Sequence, residues 1–254
     1  MKCQNKTEIN NFKNETRIEM LIEYNEFKSF FEKNGFEITE DQYKKIDFYT
    51  DRLVETNKVM NLTGITDPMG ITEKHILDSI LLLKYVDLPN GSTLIDVGTG
   101  AGFPGLPIKL FRDDIKLTLL DSLGKRVNFL KQVCENAAPD VVCIHSRAED
   151  GGRSPELREQ FDAAAARAVA ALPVLYEYCL PYVKVGGIFA ALKGPNEDIS
   201  AGDNALMILG GKLEKVENYE LPCGDKRVLV VVRKVAETAK KYPRNNGQIA
   251  KKAL

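Results

Sequence analysis

The sequence lacks any apolar run that approaches the roughly 18 to 20 residues needed to cross a membrane. Its longest clean apolar stretches, such as residues 228–232, have the length of a β-strand. We therefore exclude a transmembrane protein and expect no membrane partner. Residues 1–20 also lack the apolar segment of a signal peptide and are rich in Asn, Lys and Glu, so we predict a disordered extension there.

Cysteine is sparse, and its placement argues against a metal site. The 5 cysteines are widely spread, form no Cys-x-x-Cys pair and have no histidine at metal-ligand spacing. We therefore expect a reducing, cytoplasmic setting and no bound metal. Cys134, Cys143 and Cys179 are interpreted as buried filler. The alternative is a thiol nucleophile, but nothing in the sequence places a cysteine beside an activating base.

The chain has no strong net charge, because 35 Lys and Arg residues stand against 36 Asp and Glu residues. This balance argues against a protein coated in basic residues, although only the local field matters near a nucleic acid. Residues 237–254 differ, since they carry five cations, Lys240, Lys241, Arg244, Lys251 and Lys252, against Glu237 alone. We predict a basic C-terminal tail, which either contacts phosphates or is simply solvated.

The pattern along the chain predicts helices first and a sheet afterwards. With 44% apolar residues among 254, the chain can bury a full-sized core, either in one large domain or in one domain plus a small appendage. Apolar residues recur at helical spacing through residues 21–90, which end in the turn sequence Leu88-Pro89-Asn90-Gly91. Short β-rich runs then alternate with helical segments, at residues 93–97, 117–120, 141–144, 161–166 and 188–192.

The rhythm changes near the end of this second region, residues 91–236. Residues 212–221 and 227–234 lie too close together for a crossover helix, so we predict an antiparallel hairpin. The fold class is therefore α/β, a seven-stranded, mostly parallel sheet that resembles the Rossmann-like class I methyltransferase fold more than a dinucleotide dehydrogenase. The strand at residues 161–166 rests on its place in the series, because its alanines have poor β-propensity.

A strand that runs into a glycine-rich loop is the most informative segment. Residues 94–105 read Leu-Ile-Asp-Val-Gly-Thr-Gly-Ala-Gly-Phe-Pro-Gly. Side chains at Gly98 or Gly100 would block the close approach of a ligand or forbid a positive φ. A helix that starts near Pro104 would offer free backbone amides. The segment therefore predicts a cofactor-binding loop.

Two carboxylates guide the choice of cofactor. The glycine spacing also matches the dinucleotide fingerprint, so a nicotinamide-dependent oxidoreductase is an alternative. Asp96, at the strand end, would repel a pyrophosphate but suits the ammonium group of S-adenosylmethionine. Asp121, at the end of the second strand, can accept hydrogen bonds from ribose hydroxyls or act as a helix N-cap. We predict S-adenosylmethionine, bound by Asp96, Gly98, Gly100 and Asp121.

Further motifs along the chain resemble one known family from about residue 20 to residue 244. The ordered matches are Asn61-Leu62-Thr63 with His75, Asp78 and Ser79; residues 96–105; Asp121-Ser122-Leu123-Gly124-Lys125-Arg126; Ser146-Arg147-Ala148-Glu149; Ala166-Arg167-Ala168; Ala191-Leu192-Lys193-Gly194; and Lys241-Tyr242-Pro243-Arg244. Together they are similar to the ribosomal RNA small-subunit methyltransferase G proteins, also called the glucose-inhibited division protein B family. The chain departs from the family pattern at alanines 163–165 and at residues 245–248.

The resemblance implies an enzyme that methylates a guanine N7 in the 530 loop of 16S ribosomal RNA. It implies that S-adenosylmethionine is contacted by Gly98, Phe103, Ala148, Glu149 and Arg167. It assigns no catalytic residue, and since N7 has no proton to lose, we expect positioning to do most of the catalysis. The expected partner is 16S ribosomal RNA or the small ribosomal subunit, and we expect the chain to act as a monomer.

Several alternatives stay open at this point. Four cations are candidates for steering RNA, although surface lysines are usually solvated: Lys125, Arg126, Arg147 and Lys193. His75 is interpreted as structural, because it lies in an apolar helical context. A methyltransferase with another acceptor fits the same loop. A non-catalytic ribosome-binding module would leave the loop unused, and an oxidoreductase would leave Asp96 and the hairpin unexplained.

Overall fold

The N-terminal region is helical, as its apolar spacing predicts. The computed structural model describes residues 21–254, so the extension predicted over residues 1–20 lies outside the described residues. Helices α1 (Tyr24–Lys33) and α2 (Glu40–Met60) come first. At the start of α2, Thr39 Oγ1 accepts from the Gln42 amide at 3.2 Å, and the Gln42 side chain accepts from the Thr39 amide at 2.9 Å. This capping box fixes where α2 begins.

After residues 61–67, a second helical stretch begins, and it is itself almost unbroken. It comprises α3 (Pro68–Gly70), a π-helical segment (Ile71–Leu77), α4 (Asp78–Ile80) and α5 (Leu82–Tyr85). A π-helical segment widens the turn and is frequent at functional sites. Here it carries His75. Within the described residues, no helix is both long and apolar enough to span a bilayer.

A seven-stranded sheet forms the centre of the fold. Its strands are β1 (Thr93–Val97), β2 (Lys116–Asp121), β3 (Val142–His145), β4 (Phe161–Arg167), β5 (Val183–Lys193), β6 (Gly211–Glu220) and β7 (Lys226–Lys234). The spatial order is β3-β2-β1-β4-β5-β7-β6. The first five strands pair in parallel, whereas β7 is antiparallel to both β5 and β6. The predicted mostly parallel sheet with a C-terminal hairpin is confirmed.

One strand is longer than its sequence pattern indicates. The pattern predicts residues 188–192, but β5 begins at Val183, which pairs with Phe161. The register shifts between Phe161 and Ala163, and Gly186 takes a φ of 88° beside this irregularity. A glycine allows the strand to continue through such a bulge, which a sequence reading takes as a break.

Helices cover both faces of the sheet. The remaining α-helices are α6 (Gly105–Phe111), α7 (Gly124–Ala137), α8 (Ala148–Gly151), α9 (Leu172–Cys179), α10 (Asp203–Leu209) and α11 (Asn246–Lys251). The N-terminal helices pack with α6 and α7 around Leu94, while α9 and α10 pack on the other face around Ile95. Consecutive residues of β1 thus serve opposite cores, as the two-residue period of a strand requires.

The alanine-rich strand β4 forms despite its poor intrinsic propensity. Its four alanines at 163–166 are at most 2% exposed. They pair with β1 on one side and with β5 on the other. A central parallel strand is buried on both faces, so packing and the hydrogen-bond ladder decide its structure rather than propensity. Ala165 joins the core under the N-terminal helices, and Ala164 joins the opposite core.

Enlarging Ala165 should therefore strain a close-packed centre. We expect Ala165→Leu to lower the free energy of unfolding by about 1–3 kcal/mol, because the added methyl groups must displace packed neighbours. Urea denaturation monitored by circular dichroism measures this change. The exposed Ala201→Leu is the matched control and should stay within about 0.5 kcal/mol of the wild type. Equal stability of the two variants would contradict the packing argument.

Candidate active site

The carboxyl ends of the parallel strands meet at one edge of the sheet, where the order of the strands reverses. From β1 the chain moves outward to β2 and β3, then returns to the other side of β1 with β4 and β5. The loops after β1 and β4 therefore diverge and leave a crevice between them. Open parallel sheets bind ligands at this switch point.

The glycine-rich loop lies at this point and is held by the neighbouring strand. The amides of Gly98 and Thr99 both donate to the Leu120 carbonyl, at 2.8 and 3.1 Å. Gly100 adopts a φ of 62°, and no atom lies within 4 Å of the position that a Cβ would take there. The prediction that this position needs glycine is therefore confirmed by the positive φ of Gly100. The space where a side chain would lie is open.

Asp96 lies near the end of β1, next to the loop, and is fully buried. Its Oδ2 accepts from Thr99 Oγ1 at 2.6 Å and from the Gly105 amide at 2.8 Å, so it ties β1 to the start of α6. Its Oδ1 has no partner within the described residues. Burial raises the pKa of Asp96 to about 6, although the hydrogen bonds from Thr99 and Gly105 act in the opposite direction. An unpaired buried carboxylate oxygen is costly unless a further donor completes it.

Asp121 ends β2 as predicted, but backbone groups use its carboxylate. Its Oδ2 accepts from the Gly100 amide at 2.9 Å, and its Oδ1 accepts from the Leu123 amide at 2.8 Å. Arg126 lies 3.6 Å from Oδ2. The carboxylate therefore fixes both the glycine-rich loop and the entry to α7. Its contact to a ribose stays a prediction.

A cavity of about 130 Å³ opens beside the loop; we call it the cofactor cavity. It is lined by Val97, Gly98, Leu120, Ser122, Arg147, Ala148, Glu149, Val169, Tyr178 and Asn246. Three of the predicted cofactor residues, Gly98, Ala148 and Glu149, are thus brought together. Tyr178 and Asn246 were not predicted, and the Tyr178 hydroxyl donates to Asn246 Oδ1 at 3.1 Å.

The arrangement fits S-adenosylmethionine. No atom lies within 4 Å of a Cβ position at Gly100, so a ligand can approach the backbone there, and the buried Asp96 carboxylate at the end of β1 places an acidic group next to the loop. The cofactor cavity offers apolar walls at Val97 and Val169 together with the Glu149 carboxylate. Contacts from individual residues to the cofactor remain predictions.

Arg167, at the end of β4, is the centre of a second cluster of side chains at this edge of the sheet. Its Nη1 is 3.2 Å from the Lys74 carbonyl and 3.4 Å from both Asp78 Oδ2 and Ser79 Oγ. Its guanidinium carbon lies 4.8 Å from the centre of the Phe103 ring. Burial lowers the pKa of Arg167, and Asp78 acts against this shift. The second helical stretch therefore supplies most of the acceptors that hold this charge.

His75 completes the stack around Phe103 and was not predicted as a site residue. Its ring lies 4.4 Å from the Phe103 ring at an angle of 19°. Because a guanidinium only donates, His75 Nδ1 accepts from Arg167 at 3.4 Å, and Nε2 then donates to Thr63 Oγ1 at 2.7 Å. Burial lowers the pKa of His75 to about 3, so the ring is neutral near pH 7. The signal for His75 in the sequence was its place in the family motif that runs from Asn61 to Ser79.

A larger cavity of about 340 Å³ opens beside Arg167; we call it the acceptor cavity. It is lined by Ile65, Lys74, His75, Asp78, Arg167, Ala168, Leu192, Lys193, Gly194, Glu197 and Arg227. Arg167 and Ala168 line this cavity, whereas Val169 lines the cofactor cavity. The two cavities are therefore neighbours across the end of β4.

The cations singled out from the sequence have different surroundings. Lys193 lines the acceptor cavity and Arg147 lines the cofactor cavity, while Lys125 is exposed in the first turn of α7. In the C-terminal segment, Arg244 Nη2 lies 2.6 Å from the fully buried Glu177 carboxylate, so its charge is paired. Ile249 is 1% exposed, and α11 thus packs against the domain while the segment's lysines face solvent.

The family resemblance is confirmed by comparison with known proteins. A family model described as rRNA small subunit methyltransferase G matches residues 42–229. A protein of this name from Clostridium perfringens (strain SM101 / Type A) is 50% identical over 224 residues, covering 87% of this chain and 94% of its own. Another, from Lactobacillus johnsonii, is 49% identical over 228 residues, with 87% and 95% covered.

Solved structures agree on the fold. A geranyl diphosphate methyltransferase in complex with S-adenosylmethionine superposes with a TM-score of 0.51 at 13% identity, covering 63% of this chain and 85% of its own. The predicted Rossmann-like methyltransferase architecture is thereby confirmed.

The raised pKa of Asp96 predicts that cofactor affinity depends on pH. A carboxyl group with a pKa of about 6 is charged above that pH and becomes neutral as the pH falls through it. Arg167 lowers the pKa of Asp96 and Asp121 raises it, so neither residue is changed in this experiment. We expect the Kd for S-adenosylmethionine, measured by calorimetry, to be about tenfold larger at pH 5 than at pH 7. The reason is that the neutral form of Asp96 cannot pair with the ammonium group of the cofactor.

Two variants separate Asp96 from other titrating groups. Asp96→Asn should bind the cofactor weakly at both pH values, because the amide carries no titrating charge. Asp203→Asn, an exposed carboxylate in the first turn of α10, should keep the wild-type dependence. A wild-type Kd that is the same at pH 5 and pH 7 would show that Asp96 does not pair with the cofactor.

Proposed function

The chain belongs to the rRNA small subunit methyltransferase G family, and we propose that it transfers a methyl group from S-adenosylmethionine to the N7 atom of a guanine in the 530 loop of 16S ribosomal RNA. The observation that carries the proposal is the adjacency of the cofactor cavity and the acceptor cavity across the end of β4. A donor and an acceptor that occupy neighbouring recesses can react without leaving the protein.

Bound S-adenosylmethionine would supply a methyl group on a positively charged sulfur. The in-plane lone pair of guanine N7 would take the methyl carbon as the sulfur–methyl bond breaks, leaving the neutral thioether S-adenosylhomocysteine and a positive charge on the base. N7 has no proton to release, so the chain needs no general base at this step. His75 agrees with this requirement, because its lowered pKa of about 3 keeps the ring neutral and its two nitrogens are held by Arg167 and Thr63. The side chains of the site therefore orient the base rather than move protons.

The acceptor cavity also matches the form in which RNA must arrive. A guanine inside an RNA helix hides N7 in a deep, narrow groove, so the target base must be unstacked or flipped. The acceptor cavity is a recess with cations at Lys74, Lys193 and Arg227 on its walls, which suit the negative potential of RNA. We propose that the chain acts in the cytoplasm as a monomer, on ribosomal RNA or on the small subunit.

Methyl transfer to ribosomal RNA tests the proposal directly. Labelled S-adenosylmethionine is incubated with the full chain and either naked 16S RNA or small subunits from cells that lack this modification. We expect one N7-methylguanine in the 530 loop, mapped by cleavage at the modified base. Label at another base would keep the methyltransferase and replace the acceptor. Cofactor binding without transfer to either RNA substrate would overturn the ribosomal RNA assignment.

Arg167 lines the acceptor cavity, so replacing it should lower turnover. Arg167→Ala removes the charge beside the acceptor cavity and the group that holds His75 Nδ1. We expect turnover to fall roughly 10- to 100-fold, the range associated with losing hydrogen bonds to a charged group. Steady-state methyl transfer to small subunits measures this loss.

A second arginine provides the matched control. Arg233 pairs with Glu214 on the hairpin, at 2.5 Å, and lines a recess at the opposite, amino-terminal end of the parallel strands. Arg233→Ala should leave turnover within twofold of the wild type. If both variants lost activity equally, the effect would come from general destabilisation and not from the site.

A further inference from the structure

The acceptor cavity contains two carboxylates, and only one of them is free to meet a ligand. Asp78 is 2% exposed. Its Oδ1 accepts from the Tyr219 hydroxyl at 2.8 Å, and its Oδ2 lies 3.4 Å from Arg167 and 3.5 Å from Arg227. Both oxygens of Asp78 therefore already have partners, among them the charged groups of Arg167 and Arg227. Glu197 is the remaining carboxylate among the residues that line this cavity.

Glu197 keeps acceptor capacity on the cavity side. Its Oε1 accepts from the Leu172 amide at 3.0 Å, and its Oε2 lies 2.8 Å from Lys193 Nζ. Since a carboxylate can accept about four hydrogen bonds, two positions remain. The side chain is 17% exposed. No atom lies within 4 Å of a Cβ position at Gly194, so the space beside this pair is open.

Lys193 presents a donor next to these acceptors. Its side chain is 8% exposed, and Nζ donates to the Ala170 carbonyl at 2.6 Å as well as pairing with Glu197. An ammonium group has three N–H donors, which leaves one available. The pair therefore presents a carboxylate and an ammonium N–H side by side on one wall of the cavity.

We propose that Glu197 and Lys193 recognise the Watson–Crick edge of the target guanine and make the enzyme selective for that base. The guanine edge carries the N1–H and N2–H donors next to the O6 acceptor, which matches a carboxylate next to an ammonium group. Adenine presents a lone pair at N1, which a carboxylate repels. N7 lies on a different edge of the base, so this contact leaves the reacting atom free. The inference rests on the proposed function, because it takes guanine as the acceptor.

A structural role for Glu197 competes with this reading. The carboxylate accepts from Leu172 at the start of α9, and it also fixes Lys193. A purely structural residue would affect every acceptor base alike, whereas a residue that reads N1–H and N2–H would affect only bases that carry these groups. Discrimination between bases, not activity alone, is therefore the decisive measurement.

The test compares two RNAs that differ by one functional group. Small subunits are reconstituted around ligated 16S RNA that carries either guanosine or inosine at the target position; inosine lacks only the N2 amino group. The wild type must first methylate the guanosine substrate at N7, and failure there would reject the proposed function rather than this inference. We expect the wild type to favour guanosine over inosine about tenfold in kcat/KM, the range for losing one hydrogen bond to a charged group.

The variant Glu197→Gln separates the two roles. Its amide oxygen can still accept from Leu172, so the start of α9 is preserved, but the amide N–H group opposes the donors of guanine. We expect kcat/KM for guanosine to fall roughly 10- to 100-fold and the preference over inosine to shrink towards one. Glu217→Gln, which alters an exposed pair with Lys215 on the hairpin, should keep the wild-type preference. A preference that is unchanged in Glu197→Gln would overturn the proposal, whatever happens to overall activity.

Discussion

A guanidinium group largely shielded from water must find acceptors for its donors, and Arg167 finds most of them on a single helical stretch. Its side chain is 15% exposed, and the Lys74 carbonyl, Asp78 and Ser79 surround it. Removing one partner of a buried pair costs about 3–5 kcal/mol, so the helices cannot move away from the sheet without a large penalty. The same contacts bring His75 onto Phe103. The contacts that hold the second helical stretch against the sheet therefore also form one wall of the acceptor cavity.

On the cofactor side, hydrogen bonds from backbone amides fix the glycine-rich loop. Leu120 and Asp121, at the end of β2, accept hydrogen bonds from three consecutive amides of the glycine-rich loop. The loop is thus fixed before a ligand arrives, and the Asp96 Oδ1 beside it has no hydrogen-bond partner within the described residues. Chemistry that needs no proton transfer gains most from such fixed geometry, because orientation lowers the barrier without a titrating group.

The parts of this architecture that follow local rules could be predicted from the sequence. Strand β1 was predicted with its observed bounds, because an apolar run flanked by turn residues leaves little choice. β4 could be placed only by its position in the series, since its stability comes from neighbours on both sides and not from its alanines. The role of His75 required knowing that a helix 92 residues earlier in the chain meets Arg167. The backbone partners of Asp121 were hidden for the same reason, because they depend on how the loop folds over β2.

The distribution of charge explains how a chain with a net charge of −1 can act on RNA. Four cations and two carboxylates line the acceptor cavity, which leaves a local charge of +2. Most of these cations are paired with neighbouring carboxylates, as Lys74 and Arg227 are with Asp225. Non-specific affinity for RNA grows with the number of phosphates that a protein neutralises, so a small paired cluster contributes little of it. Selection of one site must then come from the shape of the substrate and from contacts to the edge of the base. Glu197 and Lys193 can make such contacts, because each has hydrogen-bonding positions that protein groups do not use.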